Sequence, residues 1–420
     1  MRMSLWPVVM IATTVPLRAQ DPAPSPLPRL TLAEARIRAR QASPDIVIAR
    51  QAVAAAAGRE RQSGAWPNPT LSYGREQTSR SGETNNQNIF TLEQPVEVGG
   101  QRGARRRVAR LQREAAEARL AAVVAQVDNE VAGVYATAVA ARRRAALAEE
   151  AARSFEAARR VSQERFAAGD ISAYQHRRLA LESARYLALR SEAVVASDSA
   201  LRALSTLLGN VHPRVPAEPL SLTDTIPPRP LSLSVDSLVA MALRSRPDLR
   251  AAVLEADAAA ADLRARVAER IPTPVLIGGF KNERVAGGET FNGFVAGVSV
   301  PLPLWDRRGG AVTTARAEAA GRDAEHERLR RQTVRAVVDA YESHQAIAGQ
   351  LAELEGHLGE EARKAKHAAE VAYAEGEISL VEWLDSERSY QEAESMYASL
   401  WAAYIARRAA LERATGAQLF

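Results

Sequence analysis

The chain of 420 residues repeats one pattern along its length, and this duplication limits the possible folds more than any other feature. Residues 43–45 (Ser-Pro-Asp) return as residues 246–248 (Arg-Pro-Asp), and Gly169 returns as Gly376, 207 positions later. A unit of this length is far longer than a solenoid repeat, which spans about 20–50 residues. We therefore predict two equivalent halves that contribute matching elements to one assembly.

Each half is predicted to contain a first helix, a β-hairpin, a very long helix and a return helix. In the first half, residues 21–210, the pattern predicts these elements at residues 32–63, 70–96, 102–167 and 172–208. In the second half, residues 234–420, it predicts them at residues 235–270, 274–300, 310–374 and 379–415. A proline-rich linker at residues 211–233 joins the halves.

The hairpins are predicted from short extended segments at equivalent places in the two halves. The first hairpin has strands at 70–76 and 88–96, joined by a polar loop. The second has strands at 274–282 and 291–300. Alternation of polar and apolar residues is weak in the first strand, as is typical of strands in outer-membrane proteins.

The long helices are too long for an ordinary globular domain. At 1.5 Å per residue, a helix of about 66 residues is a rod of roughly 100 Å. The first helix and the return helix of each half, laid end to end, have about the same length. We therefore expect a bundle in which each rod is flanked by two shorter helices, with the linker at mid-height.

The N-terminus predicts export from the cytoplasm. Residues 1–20 combine an early arginine, a short apolar run and small residues, which is typical of a cleaved signal peptide. Elsewhere the sequence contains no apolar stretch of about 18 residues, so no membrane-spanning helix is predicted. The chain contains no cysteine, which excludes disulfides and thiolate metal sites.

Four strands pose a physical problem if they enter a membrane. They cannot close a barrel, and open sheet edges are not tolerated in hydrocarbon. Three copies would supply twelve antiparallel strands, a number compatible with a closed barrel. The predicted fold class is therefore mainly α, with a small β-barrel that three duplicated chains could close above a cylinder of long helices.

Two junction motifs resemble a known family. Residues 93–102 (Glu-Gln-Pro-Val-Glu-Val-Gly-Gly-Gln-Arg) and 299–308 (Ser-Val-Pro-Leu-Pro-Leu-Trp-Asp-Arg-Arg) are similar to the outer membrane factors of tripartite efflux pumps, the TolC-like channels. Within that family they resemble the cobalt–zinc–cadmium (CzcC-like) branch. The resemblance implies a homotrimer with a 12-stranded outer-membrane β-barrel above a long periplasmic α-helical barrel. It implies that this assembly is an exit duct in the outer membrane of a Gram-negative bacterium. It also implies a periplasmic adaptor and an inner-membrane transporter of the resistance–nodulation–division (RND) type as partners, with divalent heavy-metal cations as substrates.

The resemblance places the periplasmic entrance at the turns between each rod and its return helix. Glu382 and Asp385 fall where acidic residues ring the channel constriction in the family, and their spacing puts both on one helix face. The first half has Gln175 and Arg178 at the equivalent positions. The alternative is that both acids are simply solvated, with Arg388 within reach of Asp385.

The turns themselves need residues that permit a sharp helix reversal, and glycine does so. By the resemblance, these turns also dock the adaptor. The residues involved are Gly169, Asp170, Ser172, Gly376, Glu377 and Ser379.

Several other classes of protein are not expected. A net charge of +5 without a concentrated basic, aromatic patch does not indicate a nucleic-acid partner. The six histidines show no ligand spacing, and no nucleophile motif or phosphate loop occurs, so we expect no metal site, cofactor or catalysis. Two alternatives remain open: a channel for organic drugs or type I secretion, and a periplasmic coiled-coil scaffold or adaptor.

Overall fold

A computed structural model describes residues 29–210, 221–222 and 231–419. The predicted signal peptide and most of the proline-rich linker lie outside the described residues. The helices in the first half are α1 (Leu32–Ala42), α2 (Pro44–Ser63), α3 (Gln101–Ala168) and α4 (Ala173–Leu207). Those in the second half are α5 (Val235–Ser245), α6 (Pro247–Ala268), α7 (Gly309–Glu375) and α8 (Leu380–Thr415).

The strands form a short parallel pair and a larger antiparallel sheet. The pair joins β1 (Arg29–Leu30) to β4 (Ser221–Leu222). The sheet contains β2 (Thr70–Arg80), β3 (Glu83–Pro95), β5 (Val275–Arg284) and β6 (Thr290–Ser299), in the order β2-β3-β5-β6. The two hairpins of the duplicated halves therefore lie side by side in one sheet. On each side of this sheet one strand, β2 or β6, has a free edge.

The first helix of each half is divided in two, although the sequence predicts one continuous helix at each place. Ser43 ends α1 and begins α2 in an extended conformation, with φ −66° and ψ 119°. Arg246 does the same between α5 and α6, with φ −64° and ψ 122°. Each of these residues precedes a proline, whose ring excludes the helical conformation from the preceding residue. Pro44 and Pro247 are the first residues of the second helices. Proline is tolerated there because an amide proton at this position would have no hydrogen-bond partner within the helix.

The rods α3 and α7 have 68 and 67 residues, close to the predicted length. Near its start, α3 packs Val108 and Leu111 against alanines of α6. Near its end, Phe155 packs against α4 and α8. Short helices therefore cover the rod in succession along its length, as the length argument predicts.

The largest apolar core lies between these two regions, in the middle of α3. Tyr135 is fully buried there and donates a hydrogen bond of 2.8 Å to the carbonyl oxygen of Leu30. Leu30 pairs with Leu222 in the short parallel strands, and both residues belong to this core. The two parallel strands therefore attach the N-terminal segment and the described part of the linker to the middle of the rod.

The first hairpin is longer than the sequence predicts. Strands β2 and β3 are joined by only two residues, Ser81 and Gly82, both with positive φ, 51° and 91°. Such turns match the right-handed twist of a hairpin. The predicted polar loop instead pairs across the strands, as in Gln77 with Asn86. This part of the hairpin is not predicted as strand because its residues are polar on both faces, and such a strand gives no alternation of polar and apolar residues.

Within the described residues, no helix combines the length and apolar character needed to cross a membrane.

Candidate functional site

The two faces of the four-stranded sheet differ in chemistry. Because side chains alternate along a strand, the register assigns every residue to one face. One face, called here the apolar face, has a row of aromatic side chains across all four strands, formed by Tyr73, Phe90, Phe280 and Phe294. The rings of Tyr73 and Phe90 lie 4.8 Å apart, and Phe294 is 87% exposed. The adjacent rows toward the helices include Leu71, Leu92, Leu276 and Val298.

The opposite face, called here the polar face, carries every acidic residue of the four strands. These residues are Glu76, Glu83, Glu93 and Glu283. Two cations, Arg80 and Lys281, lie on the same face, and Lys281 pairs with Glu283 at 3.0 Å. The sheet therefore has one face suited to hydrocarbon and one suited to water.

The junction between β3 and α3 explains the sequence motif at residues 93–102. Gly99 lies so close to the next segment that an added Cβ would come within 2.7 Å of the Cβ of Ile271. Gln101 is buried and donates a 2.9 Å hydrogen bond to the carbonyl oxygen of Ile271. Arg105 forms an ion pair with Glu97, which supplies an anion to the arginine-rich start of the rod. The motif therefore joins the two hairpins to the helices.

A wide hollow lies among α2, α3, α6 and α7, with a volume of about 740 Å³. Alanines and charged side chains of both signs line it. Two of these arginines converge on one carboxylate: Arg119 and Arg322 lie 2.5 and 3.4 Å from Glu255. This lining is hydrophilic and close to electrically balanced.

The two tip turns have the same geometry. Gly169 and Gly376 both have φ 83°, the left-handed conformation that glycine adopts without strain. Asp170 donates its amide proton to the Arg165 carbonyl oxygen at 2.9 Å, and Glu377 makes the equivalent bond to Ala372 at 2.8 Å. The duplication therefore ends each rod with the same hydrogen-bonded reversal.

Each return helix begins with a capping box. Ser172 accepts from the amide of Gln175, whose side chain accepts from the amide of Ser172. Ser379 and Glu382 make the same exchange, and the Glu382 carboxylate lies 2.7 Å from the Ser379 amide nitrogen. That backbone hydrogen bond, and then the Ser379 hydroxyl, lower the pKa of Glu382. Glu382 therefore has a capping role that sequence reasoning missed, although the pairing of Ser with Glu three residues later is a sequence signal for it.

Asp385 is exposed one turn further along α8. Arg388, the cation within its reach, pairs instead with Glu182 of α4 at 3.0 Å. The structure therefore places Glu382 and Asp385 on the exposed surface of α8 and gives Arg388 a different partner. The role of the two acids in gating stays a prediction.

Charged side chains also lie buried above the tip, between α3, α7 and α8. Glu387 is 1% exposed, and its Oε2 lies 3.8 Å from the Lys366 ammonium. Lys366 also donates to Glu150 at 2.5 Å and lies 3.8 Å from Glu370. The aromatic ring of Tyr390 lies 4.5 Å from the same ammonium. Sequence reasoning missed this cluster because charged residues on an alanine-rich helix resemble a solvated face.

The cluster alters the protonation of its members. Burial raises the pKa of Glu387, against the opposing charge of Lys366. Burial lowers the pKa of Lys366, but the hydrogen bond to Glu150 and the surrounding carboxylates outweigh it, so the pKa is raised overall. Within the described residues, no group of three or more His, Cys, Asp or Glu side chains is arranged to hold a metal ion.

With its duplicated rods and its two-faced sheet, the chain matches a known family. The model of the family described as "Outer membrane efflux protein" matches residues 36–210 and 238–417. The chain therefore belongs to the outer membrane efflux proteins, the TolC-like channel components of tripartite pumps.

The relatives place the chain near the heavy-metal resistance branch of this family. The cobalt-zinc-cadmium resistance protein CzcC of Cupriavidus metallidurans is 29% identical over 335 residues, which cover 79% of this chain and 77% of that protein. The nickel and cobalt resistance protein CnrC of the same organism is 28% identical, covering 69% and 67% of the two chains. Both relatives are named for resistance to metals: cobalt, zinc and cadmium for the first, and nickel and cobalt for the second.

Solved structures support the fold. The Campylobacter jejuni CmeC outer membrane channel aligns with a TM-score of 0.76 at 16% identity, over 98% of this chain and 94% of that one. A crystal structure of CusC aligns with a TM-score of 0.71 at 18% identity, over 92% of each chain. At these identities the likeness concerns the fold alone.

Proposed function

We propose that three copies of this chain form an exit duct through the outer membrane, with the helices extending into the periplasm. One observation carries the proposal: a four-stranded sheet with two free edges and one apolar face stands at the end of two rods of roughly 100 Å. Free edges in a membrane must be paired. Pairing β6 of one copy with β2 of the next closes a barrel of twelve strands.

In this duct the apolar face contacts lipid and the polar face lines the lumen. The exposed aromatic and leucine side chains of the apolar face are those expected at a lipid boundary. The alternative of a periplasmic scaffold leaves that face in water. Exposed apolar surfaces of this kind usually mark a site of contact with a membrane or with another protein, which argues against leaving the face in water.

The substrates proposed for the duct are divalent heavy-metal cations. The strands place four acids and two cations on the polar face, an excess of two negative charges per copy. A lumen of this sign attracts cations and raises their local concentration. The names of the relatives, with cobalt, zinc, cadmium and nickel, agree with this sign.

The entrance of the duct is proposed to lie at the tip turns. There a periplasmic adaptor docks on the reversals around Gly169, Asp170 and Ser172, and around Gly376, Glu377 and Ser379. An inner-membrane RND transporter supplies the substrate. Glu382 and Asp385, in three copies, place six carboxylates around one axis and form the constriction.

Two measurements test the proposal. The purified protein is incorporated into a planar bilayer, where a passive, cation-selective conductance is expected; a protein that stays soluble and does not conduct contradicts it. The gene is then deleted, and growth is compared on cobalt, zinc or cadmium salts and on organic drugs. Sensitivity to the metals alone supports the metal duct, whereas sensitivity to drugs alone favours the alternative of a drug channel.

A further inference from the structure

Beyond the aromatic row, on the side away from the helices, the side chains of the apolar face become polar. This part of the face still carries no acidic residue. The next row away from the helices consists of Arg75, Asn88, Asn282 and Asn292, and the one after that of Gln77, Asn86, Arg284 and Thr290. At about 3.4 Å per residue, Arg75 lies roughly 7 Å beyond the aromatic row and Arg284 roughly 14 Å beyond it. We call this the outer polar band. It contains two guanidinium groups and a set of uncharged donors.

The two arginines of this band, Arg75 and Arg284, lack a carboxylate partner in the part of the chain that the structure describes, because of where they lie in the sheet. Every acidic residue of the strands lies on the polar face, on the other side of the sheet. Within the described residues, neither Arg75 nor Arg284 forms an ion pair, and Glu289 in the neighbouring turn does not pair with Arg284. Both side chains are exposed.

Closure of the barrel does not supply the missing anion. The strand that would pair with β2 from the next copy is β6, and β6 contains no acidic residue. Three copies would therefore carry six unpaired guanidinium groups on the outside of the barrel. A partner that neutralises them has to come from the surroundings of the sheet.

The position of the band identifies those surroundings. The helices attach at the opposite end of the strands, so the band lies toward the hairpin turns and away from the periplasm. An aromatic row marks the boundary between hydrocarbon and headgroups in membrane barrels. Polar residues just beyond that row lie at the level of the outer-leaflet headgroups.

We propose that Arg75 and Arg284, assisted by the amides of the outer polar band, bind the phosphate groups of the glycolipid in the outer leaflet. Arginine is suited to this task because its planar fork donates two parallel hydrogen bonds to a phosphate. The proposal rests on the proposed function, because it requires the apolar face to contact lipid. It adds a specific lipid partner to a surface otherwise defined only by its apolar character.

The test compares binding of diphosphoryl lipid A and of dephosphorylated lipid A to the full-length protein in phosphatidylcholine nanodiscs. Bound lipid is counted by native mass spectrometry. The wild type is expected to prefer the diphosphoryl form by about tenfold, and Arg75→Gln/Arg284→Gln is expected to lose that preference. Arg75→Lys/Arg284→Lys retains the charge but not the fork, so an intermediate preference is expected.

The matched control is Arg80→Gln, which removes the same charge from the polar face of the same sheet. It is expected to keep the wild-type preference. The inference is wrong if the double glutamine variant retains the preference, or if Arg80→Gln loses it to the same extent. Conductance is measured on the same preparations. Absence of conductance in the wild type overturns the proposed duct, whereas conducting variants with unchanged lipid preference overturn only the lipid site.

Discussion

Glu382 combines a structural position with a proposed functional one, and the duplication offers a way to separate them. In the first half Gln175 occupies the same capping position and makes the same hydrogen bonds as an uncharged amide. Glu382→Gln is therefore expected to keep the cap and remove the charge, whereas Glu382→Ala removes both. We expect both variants to reduce the cation selectivity of the conductance. We expect the alanine variant to lower the melting temperature more than the glutamine variant, which loses only the contribution of the charge to the cap.

Asp385→Asn is the companion change, since Asp385 is exposed and its neighbour Arg388 is engaged with Glu182. It is expected to lower selectivity without lowering the melting temperature. Unchanged selectivity in the double variant Glu382→Gln/Asp385→Asn would show that the constriction lies elsewhere. The lowered pKa of Glu382 means that its ionised cap contributes stability above the ordinary value of 4.5, and that this contribution is lost as the pH falls through the lowered pKa.

Glu387 has the opposite pH behaviour, because burial raises its pKa. The folded state then binds a proton more readily than the unfolded state. The contribution of Glu387 to stability is therefore fully present below the ordinary pKa of 4.5 and is lost as the pH rises through the raised value. We expect Glu387→Gln to raise the free energy of unfolding at neutral pH relative to its value at acidic pH, and to flatten the dependence of stability on pH in this range.

Thermal unfolding between pH 4 and pH 7.5 measures this difference. Glu392→Gln, at an exposed position of the same helix, removes the same charge and is expected to follow the wild type. If the two variants behave alike, the buried environment of Glu387 does not control its protonation.

Among the elements, the sheet gives the sharpest contrast, because neighbouring residues of one strand have different surroundings. Leu92 lies on the apolar face and Thr91 on the polar face of β3. Leu92→Arg is expected to destabilise the inserted protein by about 1–3 kcal/mol, because a lipid-facing arginine costs about 2–4 kcal/mol at the bilayer midplane and less toward the aromatic row. Thr91→Arg faces the aqueous lumen in our proposal and is expected to insert normally.

The amount of heat-resistant protein in the outer-membrane fraction measures this effect. Equal loss in both variants would mean that the faces are assigned wrongly. Equal insertion of both variants would mean that the apolar face does not contact lipid.

For the whole molecule, the main question is assembly. One copy leaves apolar side chains exposed on α2, and Ile48 is 66% exposed. In a trimer, α2 at one side of the helical layer would meet α7 of the next copy. We expect light scattering in detergent to give a protein mass about three times that of one mature chain. We also expect Ile48→Arg to shift the protein toward monomers. Gln51→Arg adds the same charge to α2 without removing an apolar side chain, and we expect this control to stay trimeric.

The elements differed in how far the sequence predicted them. The rods and tip turns were predictable because each is encoded locally, by a proline-free helical stretch that ends at glycine. The division of the first helices is also encoded locally, at Pro44 and Pro247, because proline excludes the helical conformation from the residue before it. The extent of the first hairpin was not predictable from hydrophobic periodicity, since its outer half is polar on both faces.

The sequence by itself determined that the chain is a duplicated helix–hairpin–rod protein, because the repeat, the glycine turns and the helix lengths are all properties of neighbouring residues. Only the tertiary structure decided that the two hairpins share one sheet, that all strand acids lie on one face, and that Lys366 and Glu387 are buried together. These facts depend on register and on contacts between residues far apart in the chain. The physical reason is that the burial of a side chain, and the face of the sheet on which it lies, depend on which other residues surround it. The identity of the residue does not specify those neighbours.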